Sequence, residues 1–181
     1  MSVLTILVVG LIATAYMSLV HWVADRSTLG TRNLLRALGS FMIPEPFRSR
    51  GISLGLHFLA GIFFTTVYAF IFDFLEPSTL FAYVETGLLI GLAHGFFLGV
   101  FFYGLDPVEG PANFRPGAAL INVLSHVVFG LAVGFGMGLT QRTGTVAWFG
   151  IYGLAGLIAL TSVYMMAGIP VRRRRHHKAT A

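Results

Sequence analysis

Four histidines, His21, His57, His94 and His126, each stand inside a long apolar stretch of this chain. An ionisable side chain at membrane depth is costly and normally faces the interior of a helix bundle, so each position asks for a purpose. Imidazole is the commonest biological metal ligand and an axial ligand of haem. A pair from adjacent helices at equal depth, such as His94 with His126, is competent to hold one haem. All four together are competent to hold a transition metal, with Asp25 one turn beyond His21 as an outer partner that orients it. Proton movement is a third use, with Asp25 and Glu85 at the two ends of a path. Glu85 falls about 180° round its helix from His94, however, so no continuous path along one face is implied. Set against all three is plain packing: a membrane histidine can hydrogen-bond a carbonyl or hydroxyl across a helix contact for about 1 kcal/mol. Asn122, Ser125, Thr14 and Ser18 are the expected partners for that role.

The elements that must position these side chains are five apolar runs, at residues 3–23, 52–72, 80–105, 118–139 and 146–169. Each is near or above the roughly 20 residues that cross the hydrocarbon of a bilayer. At 56% hydrophobic and 10% charged residues, the composition lies outside that of ordinary soluble domains, where about a quarter is charged. The expected fold is therefore all-α: a polytopic transmembrane helix bundle forming a single membrane domain over residues 1–181. The longest connection, residues 25–51, is too short for a soluble domain, and residues 171–181 form a basic tail. Ala13-Thr14-Ala15 resembles a signal-peptidase site, but no Lys or Arg precedes the run and its apolar character continues to Val23, which favours a retained helix.

Lysine and arginine near span ends favour the cytoplasmic side. Arg26, Arg32, Arg36, Arg48, Arg50, Arg115, Arg172 to Arg175 and Lys178 all fall on one face, and only Arg142 falls on the other. The N-terminus is thus expected outside and the C-terminus inside. The formal charge of +5 follows mainly from this topology, with the basic face available to anionic lipid head groups. The Arg172 to Lys178 run reads as a stop-transfer cluster, and no nucleic-acid partner is expected. Within the long connection, Thr31 and Gly39 bracket a short helix whose Leu34, Leu35 and Leu38 share a face, suited to lying on the inner leaflet or docking a partner.

Counting at about 1.5 Å per residue, His21 and His57 lie about 6 to 9 Å below the cytoplasmic ends of their spans, and His94 and His126 about 12 to 15 Å. The result is two tiers of two. Gly87, Gly91, Gly95 and Gly99 recur every fourth residue on the third span, a glycine-zipper stripe that lets a neighbouring backbone approach closely. Asn122, His126, Gly130, Gly134 and Gly138 repeat the spacing on the fourth, so a close contact between these two helices is expected, with both histidines facing protein. Such stripes serve contacts with other membrane subunits or a second copy of the chain equally well. The chain contains no cysteine, which excludes disulfides, thiolate ligands and thiol nucleophiles. There is no H-x-x-x-H, no H-E-x-x-H, no serine elbow and no phosphate loop. His176 and His177 in the tail are surface residues able to bind metal adventitiously.

The segments Gly10-Leu-Ile-Ala-Thr-Ala-Tyr-Met-Ser-Leu-Val-His-Trp22, Gly55-Leu-His57, Gly87-Leu-Leu-Ile-Gly91-Leu-Ala-His94 and Ser125-His126-Val-Val-Phe-Gly130 resemble the pattern of the YagU-like and related bacterial inner-membrane proteins. The resemblance covers four of the five spans; the fifth and the basic tail depart from it. It implies a bacterial inner-membrane location and a link to acid stress. The expected function is that of a non-enzymatic accessory subunit or acid and membrane-stress factor. A haem- or metal-binding protein and a proton or small-solute conduit are the alternatives.

Overall fold

The computed structural model describes residues 1–26, 50–104 and 116–166. These form five helices and no strand: α1 (Val3–Arg26), α2 (Arg50–Leu75), α3 (Leu80–Gly104), α4 (Pro116–Thr143) and α5 (Ala147–Met166). All five are long and apolar enough to cross a membrane, which makes this a membrane protein of the helical-bundle class. The short helix expected within residues 31–39 and the basic tail lie outside the described residues.

The helix ends are set by local chemistry more than by hydropathy. Ser2 Oγ accepts the backbone N–H of Thr5, Thr79 Oγ1 that of Ala82, and Thr145 Oγ1 that of Ala147, so α1, α3 and α5 each begin on a hydroxyl cap. Pro116 opens α4 at the position where its missing N–H costs nothing. Gly144 closes the same helix at φ 73°, donating its N–H to Thr140 O at 2.8 Å. Glu76 does this for α2 at φ 48°, with Pro77 behind it preventing continuation. Hydropathy places the ends of the second and fourth spans at residues 72 and 139. The helices run on to Leu75 and Thr143, past Asp73 and Arg142, because the chain stays helical until a cap satisfies the final carbonyls.

Helix α4 lies at the centre and touches all four others, its contact with α3 being the most extensive. That contact is made by backbone. A Cβ on Gly87 would meet the backbone of Gly130 and Gly134, one on Gly91 that of His126 and Gly130, and one on Gly134 that of Tyr83 and Val84. Inside a bilayer lipid is as apolar as leucine, so close backbone approach and van der Waals contact take the place of hydrophobic burial. Helix α1 packs on α4 and on α2, with Gly10 against Ile62 and Thr65 and Gly61 against Thr14. Val9, Ala13, Tyr68, Phe72, Phe129, Val133 and Met137 fill the core between them. Helix α5 is peripheral, burying only Phe149 and Gly153 and leaning on α1 and α4.

Candidate functional site

The antiparallel order of α1 to α4 brings all four histidines into one half of the bundle. His21 is near the end of α1, His57 near the start of α2, His94 in the later half of α3 and His126 in the earlier half of α4. They meet as two pairs, with ring centroids 6.4 Å apart for His21 and His57 and 4.6 Å for His94 and His126. His126 is also within electrostatic reach of both His21 and His57, so the pairs form one cluster. His21, His57 and His126 are buried, and His94 is partly so.

The deeper pair is committed to helix contacts. His126 Nδ1 lies 2.8 Å from Asn122 O, an acceptor, so Nδ1 carries the proton and donates it there. Asn122 in turn donates from Nδ2 to Gly95 O at 3.1 Å, stitching α4 to α3 at the level of the histidines. His94 Nδ1 is 3.2 Å from the Tyr68 hydroxyl of α2, and its ring is packed against Phe64 at 4.1 Å. The His94 and His126 rings meet edge to face, 70° apart in plane, beside the glycine stripe. No gap for an iron and its porphyrin separates them. The close helix approach that sets the two histidines level also closes the slot that a haem between them would need.

The shallower pair is different. Among the described residues neither ring nitrogen of His21 has a hydrogen-bond partner, nor does Nε2 of His57, although both residues are buried. A neutral imidazole carries one N–H donor and one lone-pair acceptor, so both capacities of His21 are unused. Nε2 of His94 and Oδ1 of Asn122 are likewise buried and unpartnered.

The remaining expected residues fall in several places. Thr14 and Ser18, offered as histidine partners, instead donate to their own helix, to Gly10 O at 2.7 Å and Thr14 O at 2.8 Å. A hydroxyl one turn after a carbonyl of its own helix shares that carbonyl before it can reach across. Ser125 donates to Asn122 O at 2.8 Å and only grazes His126 at 3.5 Å. Glu85 is exposed on the outer side of α3, away from the cluster. Asp25 belongs to the last turn of α1, and its side chain lies outside the described residues. Among the described residues no three histidine or carboxylate side chains are placed to hold one metal ion, so the four histidines do not form a single shell. Two tiers one or more turns apart cannot share ligands about 2 Å from one centre. Gly99 meets Asn122 Nδ2 at 3.7 Å from its Cβ position among the described residues, whereas Gly95 and Gly138 are in tight contact with α4 and α3 respectively.

Sequence reasoning missed Tyr68, the fully buried aromatic that ties α2 to His94. A tyrosine in the middle of a phenylalanine-rich span was a usable signal, because a phenol at membrane depth requires a partner.

An all-helical membrane-spanning bundle with a paired-histidine interior is therefore the class that fold and site define. No protein-family model matches the chain, and comparison with curated proteins and with solved structures found no match.

Proposed function

We propose that this chain is a non-enzymatic protein of the bacterial inner membrane, an accessory subunit or acid and membrane-stress factor, in which His94 and His126 organise the bundle. The observation that carries this reading is the use made of the deeper polar side chains. Tyr68, His94, Asn122 and His126 spend their hydrogen bonds on a neighbouring helix or their own backbone and hold α2, α3 and α4 together. The basic residues on the histidine-bearing side support an N-terminus outside and a C-terminus inside. The resemblance to YagU-like proteins supports the inner-membrane location and the acid link. Homo-oligomers or a larger membrane assembly are the partners that suit an accessory role.

The test joins location to consequence. Reporter fusions at each terminus should place the C-terminus in the cytoplasm, and deletion of the gene should lower survival after an acid or membrane challenge. His94→Gln and His126→Gln should lower the stability of the purified protein and complement poorly in proportion. Turnover of any substrate that depends on His94 or His126 in a variant of undiminished stability would overturn the proposal.

A further inference from the structure

We propose that His21, His57 and Met17 form a binding site for one monovalent copper ion between α1 and α2. The two imidazoles are the least committed polar groups in the core. His21 is 4% and His57 6% exposed, yet three of their four ring nitrogens have no hydrogen-bond partner among the described residues. The rings also do not bond each other: their centroids stand 6.4 Å apart and their planes 72°. Two metal–nitrogen bonds of about 2.0 to 2.1 Å, together with two ring radii of roughly 1.2 Å, span about 6.5 Å. The centroid spacing is therefore that of two imidazoles bridged near-linearly by one atom, with any third ligand at the side of that line.

The register of the helix pair brings a soft-donor residue to the same level. Thr14 lies against Gly61 and Gly10 against Ile62 and Thr65, which places residues 17–21 of α1 level with residues 54–58 of α2. Met17, one turn before His21 on the same helix and 6% exposed, therefore stands at the level of the pair. Soft sulfur donors take Cu(I) and zinc, and imidazole suits zinc, copper, iron and nickel, so copper and zinc are both compatible with this donor set. Charge separates the two. The cost of placing an ion in a low-dielectric interior rises with the square of its charge, and neutral donors bind the ion without cancelling that charge. A monovalent ion that accepts two or three ligands suits this place better than zinc, which takes four.

The experiment uses the full chain, purified in detergent without a histidine-rich tag and with His176→Ala and His177→Ala removing the adventitious tail site. It is titrated anaerobically with Cu(I) against a competing colorimetric chelator, and in parallel with Zn(II). The expected result is one Cu(I) per chain, absorption-edge fine structure showing nitrogen and sulfur ligands, and no retained zinc. His57→Ala should abolish binding. Met17→Leu, which keeps volume and packing, should weaken binding at least tenfold and remove the sulfur signal while the elution profile and helical content stay unchanged. Absence of copper from the parent protein, copper that survives His57→Ala, unchanged affinity and ligand signal in Met17→Leu, or equal retention of zinc would each overturn the proposal.

Discussion

Replacing Gly91 by alanine tests whether α3 and α4 truly meet backbone to backbone. The new Cβ would sit 2.5 Å from His126 O and 3.1 Å from the Cα of Gly130. An ordinary carbon–oxygen approach is about 3.3 to 3.6 Å, so α3 must withdraw by most of an ångström, and no flexible side chain can yield in its place. Overpacking of this kind costs about 1 to 3 kcal/mol. The withdrawal also lengthens the Asn122 to Gly95 hydrogen bond one turn away, now 3.1 Å, a contact worth about 0.6 to 1.7 kcal/mol in a membrane. Alanine's better helix propensity returns up to about 1 kcal/mol. The net expectation is a loss of about 1 to 3 kcal/mol. Gly55→Ala is the matched control, because Gly55 is exposed and no described residue lies within 4 Å of its Cβ position. It should be neutral or stabilising by up to about 1 kcal/mol. The assay is reversible unfolding in mixed micelles with increasing dodecyl sulfate, followed by far-ultraviolet circular dichroism. A Gly91→Ala protein as stable as Gly55→Ala would refute the packing argument.

Further outcomes follow from the same contacts. Asn122→Leu removes the only side-chain donor to Gly95 O among the described residues and should cost about 1 kcal/mol in the micelle assay. Gly61→Ala drives a Cβ into the Thr14 hydroxyl, so its destabilisation should shrink by at least about 0.5 kcal/mol in a Thr14→Ala background, measured as a double-mutant cycle. Tyr16→Phe deletes the bond to Gly153 O at 2.9 Å, the hydrogen bond that fastens α5 to α1. Limited proteolysis should then release α5 faster, while the stability of α1 to α4 changes little.

Much of this architecture is visible in the residues themselves. Five uninterrupted apolar runs define five helices, and glycine at every fourth position on α3 and α4 marks their contact before any coordinate is known. Helix direction then places the histidines at two depths, and the structure pairs them level by level. What the residues conceal is direction and competition at the atomic scale. Thr14 and Ser18 look like partners for histidine until the nearest carbonyl of their own helix captures them. Equal depth makes His94 and His126 look like a haem clamp, yet the glycine stripe that brings them level leaves their rings in direct contact. Tyr68 carries no periodic signal, and although its phenol asks for a partner, only laying α2 beside α3 shows that the partner is His94.

The most direct test of the paired-histidine bundle exploits the absence of native cysteine. His21→Cys with His57→Cys, and His94→Cys with His126→Cys, should each cross-link rapidly and intramolecularly with a short bis-maleimide in native membranes, while Glu85→Cys with His126→Cys should not. Efficient cross-linking of the Glu85 pair, or failure of both histidine pairs, would contradict the arrangement of α1 to α4 on which every other conclusion rests.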